Sequence, residues 1–142
     1  MRALVQRVSS AAVSVDGAEI ARIGAGMLVL LGVAAGDGPE EADRLAAKLE
    51  KLRIFEDGDG RTNKALGERE ILCVSQFTLM ADVSRGNRPG FAAAAEPDMA
   101  KRLYERVCER LGASRGEFGA RMAVELVNDG PFTILVEVAP QA

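Results

Sequence analysis

Nine consecutive residues without a polar side chain, MLVLLGVAA at 27–35, set the first constraint on the fold. The run is about half of the roughly 20 residues a membrane-spanning helix needs, and glycines stand on both sides of it. Continuous rather than alternating hydrophobicity at this length is the pattern of a strand buried on both faces.

The segments around it read as strands and helices in alternation. Residues 2–8 (RALVQRV) and 12–15 (AVSV) have strand character, Asp16-Gly17 is a hairpin-turn pair, and 18–24 (AEIARIG) returns as the partner strand. After the buried run, Asp37 is placed to cap a helix, with Pro39 in its first turn and Glu40 and Glu41 at its positive end. Leu45, Leu49 and Leu52 fall on one face of that helix. Residues 56–66 form a loop whose DGDG lacks the spacing and closing Glu of a calcium site. A strand is predicted over 71–80 (ILCVSQFTLM), then a basic, glycine-rich loop over 81–91, then a second helix over 96–112 ended by Gly112. Two closing strands are predicted at 121–127 and 132–138, with Asn128-Asp129-Gly130 as the turn between them. In the second, Phe132, Ile134, Val136 and Val138 share one face. The order is β-β-β-α-β-α-β-β. It defines one α+β domain, residues 1–142, built on a mixed, barrel-like β-sheet with two main helices on one face.

Composition removes several kinds of chemistry. The 142 residues contain no histidine, so neither a Ser-His-Asp nor a Cys-His arrangement can form within the chain. Cys73 and Cys108 are far apart in sequence and make no zinc pattern, and acidic residues are scattered, so no metal and no cofactor are expected. Aromatic residues are 4% of the chain and the net charge is −3, which argues against stacking many bases or wrapping a long phosphate backbone. A local basic loop gripping one end of an RNA remains compatible with both. With no spanning segment and an N-terminus that reads as a strand, a cytoplasmic location is expected.

Chemistry concentrates in three places. Ser75, Gln76 and Thr78 bring polar groups to the end of a buried strand beside Phe77, and such groups need partners or a role. Arg85 and Arg88 follow on a flexible loop, and arginine suits phosphate and carboxylate. Gly130-Pro131 removes a backbone donor at the mouth of a strand while allowing close approach of main chain to another group.

Taken together, VSQFTLMAD (74–82), GNRPGF (86–91) and VNDGPFT (127–133) resemble the paired signature motifs of the D-aminoacyl-tRNA deacylases, formerly called D-tyrosyl-tRNA deacylases. The start, MRALVQRVSSAAVSVDG, is similar to that family's N-terminal hairpin, and the likeness runs over the whole chain. Gly90, Phe132 and Met80 stand where the family more often has a serine, a small branched residue and an aromatic. The resemblance implies hydrolysis of the ester between a D-amino acid and the terminal ribose of tRNA, with glycyl-tRNA accepted too. It implies a homodimer in which a cis Gly130-Pro131 of one subunit faces Ser75, Gln76, Phe77 and Thr78 of its partner and excludes L side chains. It further implies catalysis by backbone N–H groups near Phe77 and Thr78, aided by the ribose 2′-OH, with Arg85 and Arg88 on RNA phosphates. A noncatalytic dimeric RNA-end binder would use the same features.

Overall fold

The computed structural model describes residues 1–141. Its organising element is β1 (Arg2–Val15), a single 14-residue strand rather than two short ones. Asp16 and Gly17, both with positive φ, turn it into β2 (Ala18–Ile23), which pairs back on the second half of β1. β3 (Gly26–Gly32) pairs antiparallel with the first half of β1, from Arg2↔Gly32 to Val8↔Gly26. Helix α1 (Pro39–Lys51) then carries the chain across to β6 (Glu70–Ser75), which lies parallel to β3. Before β6 the chain makes a small antiparallel pair, β4 (Phe55–Glu56) and β5 (Thr62–Lys64), inside the segment expected to be loop. Helix α2 (Pro97–Leu111) is the second crossover, and it leads to the two-residue β7 (Ser114–Arg115), parallel to β6. β8 (Met122–Glu137) closes the fold along the whole length of β1. The expected mixed, nearly closed sheet with two helices is therefore present.

The apolar run explains itself in this arrangement. Met27, Val29 and Leu31 of β3 point into a core with Leu45, Ala46 and Leu49 of α1 and Leu103, Tyr104 and Val107 of α2. Leu28 points the other way, into a second core with Val8, Val13, Ile23, Leu72 and Val74. Both faces of β3 are filled, so its sequence does not alternate.

Three local expectations are corrected. Asp37 does not cap α1: Gly38 is the N-cap residue and the Glu41 carboxylate accepts its N–H at 2.8 Å, while Asp37 is engaged elsewhere. The strand expected over 71–80 stops at Ser75. Its partner β3 ends at Gly32, the last ladder bond is Gln76 N–H to the Leu31 carbonyl at 2.8 Å, and residues 77–80 wind into a 3₁₀ turn folded over Gly32. A Cβ on Gly32 would lie 3.0 Å from both Leu79 Cβ and Met80 Cε, so that turn rests directly on the glycine. Finally, the two closing strands are one 16-residue strand. Between the pairs Gln6↔Thr133 and Val8↔Asn128, β1 advances two residues and β8 five, so residues 129–132 form a wide bulge rather than a hairpin corner.

Candidate active site

The polar strand end and the 3₁₀ turn form one rim of a cavity of about 470 Å³. Ser75, Gln76 and Phe77 line it, together with Ala94 and Ala95 from the segment before α2 and with Phe118 and Met122. Ser75 and Gln76 are partly buried, whereas Phe77 is 56% exposed and Thr78 is exposed. The Thr78 hydroxyl accepts a hydrogen bond from the Gln76 side-chain amide. The Arg2 guanidinium donates to the Leu79 carbonyl at 2.8 Å, tying the turn to the first residue of β1. Phe77 meets Phe91 edge to face, with ring centroids 5.0 Å apart, and both rings remain accessible.

Behind the strand lie two buried free thiols, Cys73 and Cys108. Cys73 is fully buried, and the neighbouring Cys108 thiol, reinforced by burial, holds its thiol well above the ordinary range. It is not a nucleophile at neutral pH, because attack requires the thiolate.

Arg85 and Arg88 sit on an exposed loop whose neck is closed by paired backbone bonds between Asp82 and Gly90, at 2.8 and 2.9 Å. The cavity lining does not include them. A side chain at Gly90 would find its nearest neighbour 3.9 Å away, so the serine more common in the resembling family fits here without rearrangement.

The third group, Gly130-Pro131, lies apart from this cavity within the same chain. Its peptide bond is cis, Gly130 has φ +136°, and both residues are exposed at the tip of the bulge. The bulge is pinned from beneath by Arg7, a residue sequence reasoning passed over. The Arg7 Nε donates to the Asp129 carbonyl at 3.0 Å and Nη1 to the buried Ile54 carbonyl at 2.7 Å. Its guanidinium lies 4.8 Å from the centre of the Phe132 ring, so the aromatic departure at 132 supplies a cation–π contact. Asn128 completes the clamp, accepting from the Phe132 N–H at 2.8 Å and donating to Thr133 Oγ1 at 3.0 Å. The signal for Arg7 was present in the alternation: it shares parity with Ala3 and Val5, which are fully buried, so a charge stood at an inward position.

The molecule thus has a preformed cavity beside an N–H-bearing turn, and an outward-held main-chain bulge that its own cavity does not use. A concave cavity with a few polar groups at its rim has the usual form of a small-molecule site. Comparison with known proteins agrees with the motifs. Residues 4–137 match the family described as D-Tyr-tRNA(Tyr) deacylase. The chain is 55% identical to the D-aminoacyl-tRNA deacylase of Anaeromyxobacter dehalogenans, over 96% of this chain and 97% of that one. It is 52% identical to that of an Azoarcus species, over 99% and 97%. Among solved structures, one named c-Myc DNA Unwinding Element Binding Protein superposes with a TM-score of 0.93 at 41% identity, covering 99% of this chain and all of that one. A probable eukaryotic D-amino acid tRNA deacylase superposes at 0.85 with 19% identity, which shows the shared fold. The chain belongs to the D-aminoacyl-tRNA deacylase family.

Proposed function

We propose that the protein hydrolyses the ester of D-aminoacyl-tRNA, releasing the free D-amino acid and tRNA, and that it works as a homodimer. Family membership over nearly the full chain supports the reaction. The observation that carries the mechanism is the bulge at Gly130-Pro131, held outward on Arg7 and not among the residues lining the cavity beside Ser75 and Gln76. In the dimer it enters the partner's cavity beside Ser75, Gln76 and Phe77. Its carbonyls occupy the volume an L side chain needs, while a D side chain points to solvent. Selection is by exclusion, so the identity of the side chain matters little.

A filter of this kind has no grip on a residue without a side chain. Glycyl-tRNA is therefore cleaved as well; glycyl-tRNA left intact in an assay that empties D-tyrosyl-tRNA contradicts the exclusion account.

Chemistry at the turn follows from its backbone. The first N–H groups of a helical turn have no carbonyl partner within it, and here they belong to Phe77 and Thr78. Pointed at the ester, they stabilise the developing oxyanion, an effect worth about 2.7–4 kcal/mol for one good donor. The ribose 2′-OH of the substrate orients the attacking water. Thr78 contributes position rather than a nucleophile: its hydroxyl neighbour is the Gln76 amide, a donor that cannot take a proton. Thr78→Ala accordingly keeps turnover within about 5-fold, whereas a 2′-deoxy terminal adenosine lowers it about 10-fold by removing one transition-state hydrogen bond. Abolition by the first change, or indifference to the second, reverses these roles. Arg85 and Arg88 steer the acceptor stem through its phosphates, and binding weakens with salt as their contacts are screened. Release of free D-tyrosine from charged tRNA separates this reading from a protein that only binds the RNA end.

A further inference from the structure

The 3₁₀ turn over Phe77–Met80 is anchored at its start by the sheet and at its end by a distant side chain. At the start, the Gln76 N–H joins the Leu31 carbonyl at 2.8 Å and the Leu79 N–H closes on the Gln76 carbonyl at 3.2 Å. Toward the end, the Ala81 N–H bonds the Thr78 carbonyl at 3.1 Å. The next bond of that series would run from the Asp82 N–H to the Leu79 carbonyl. It does not form, because the Asp82 N–H goes to Gly90 across the neck of the basic loop, at 2.8 Å. Arg2 Nη1 supplies the missing donor, reaching the Leu79 carbonyl at 2.8 Å from 77 positions away.

Strand pairing explains why this side chain arrives there. Arg2 stands opposite Gly32 on one neighbouring strand and Glu137 on the other. Directly paired residues project from the same face of a sheet. Gly32 has no side chain, and the turn lies where one would be: an added Cβ would stand 3.0 Å from Leu79 Cβ and 3.1 Å from the Gln76 carbonyl oxygen. Arg2 therefore emerges on the face that carries the turn. Glu137 Oε2 lies 3.7 Å from Arg2 Nε, with both side chains open to solvent, so this ion pair adds little stability. The bond to Leu79 is the specific tie.

We propose that Arg2 is a positioning residue for the ester hydrolysis. By holding the Leu79 carbonyl it fixes the angle at which the Phe77 and Thr78 N–H groups meet the substrate. This role rests on the reading of those two groups as oxyanion donors. Donors of that kind work only when held in place before the charge develops. Gly32 gives the turn its seat and Arg2 keeps it there.

Arg2→Met, which keeps the aliphatic stem and removes every donor, and Arg2→Lys test this on D-tyrosyl-tRNA. Arg2→Met lowers kcat about tenfold and moves KM less than about twofold, because only the transition state feels the donors' aim. Its thermal midpoint stays within about 5 °C of the parent, since a part-exposed tie contributes little to global stability. Arg2→Lys retains a donor for the single carbonyl and keeps kcat within about threefold of the parent. Amide exchange at Leu79 and Ala81 speeds up about tenfold in Arg2→Met while Val5 and Val29, paired in the centre of the sheet, stay protected. Unchanged exchange and unchanged kcat overturn the role of Arg2 and leave the oxyanion reading standing. Faster exchange with unchanged kcat overturns both, since the turn is then loosened without cost to the chemistry. A rise in KM with kcat intact makes Arg2 an RNA-phosphate contact and overturns the proposal, as does a Lys variant as slow as the Met variant.

Discussion

Arg7→Ala lowers the stability of the folded protein by about 4 kcal/mol, a large part of the roughly 5–15 kcal/mol that holds a domain of this size together. The change deletes two charge-assisted hydrogen bonds, one to the buried Ile54 carbonyl and one to Asp129. Each such bond is worth about 1.5–3 kcal/mol, and a buried acceptor left empty adds its own desolvation cost. The guanidinium stack on Phe132 goes as well. Denaturant unfolding reads this directly. The surviving folded protein shows the functional half of the effect: with the floor of the bulge gone, Gly130-Pro131 no longer holds one position, and cleavage of L-aminoacyl-tRNA rises about 10-fold or more relative to the D ester. Arg7→Lys falls between, because an ammonium keeps the charge but cannot reach two carbonyls with the fixed fork of a guanidinium. An Arg7→Ala protein with unchanged midpoint and unchanged selectivity contradicts the role assigned to this residue.

Gly26→Ala is the second change expected to be severe, for a reason of space alone. Its α-carbon faces β6 where the parallel pairing begins, at Gly26↔Glu70. A Cβ there would stand 1.8 Å from the Glu70 carbonyl oxygen, 2.7 Å from its carbon and 2.9 Å from its nitrogen. These are main-chain atoms of a central strand and cannot step aside as a flexible side chain does. Relief requires β3 and β6 to part at this end, which loosens the pair whose far end sets Ser75 and Gln76. The loss is about 3 kcal/mol or more, at the upper end of overpacking effects. Gly24→Ala is the control. Its nearest contact is a Glu70 side-chain oxygen at 3.6 Å, and its effect stays within about 0.5 kcal/mol. Equal midpoints for the two variants contradict the close strand approach.

What could be read from the sequence was whatever depends on neighbours in the chain. The Asp16-Gly17 turn, the apolar stripes of α1 and α2 and the helix stop at Gly112 are local, and each stands where its residues put it. The failures share a different cause. Asn128-Asp129-Gly130 carries good turn chemistry, yet the chain continues as β8 because β1, more than a hundred residues earlier, offers a partner on both sides of the bulge. Residues 77–80 have strand-like composition, but β3 has ended and no ladder is left to join. Asp37 is a sound helix cap by type, but its carboxylate turns back to accept the Ala34 N–H, leaving Gly38 at the cap position. The site showed the same division. Ser75, Gln76 and Phe77 are contiguous and were found as a cluster; Arg7 acts on Asp129 across 122 positions and had only the inward parity of a charged residue to betray it.

Whether main-chain atoms choose the enantiomer is settled most directly by charging one tRNA with D-tyrosine and, separately, with L-tyrosine, and following loss of each ester at rising protein concentration. The account expects the D ester to be emptied in proportion to protein while the L ester decays at its spontaneous rate throughout. Protein-dependent loss of both esters at comparable rates contradicts it.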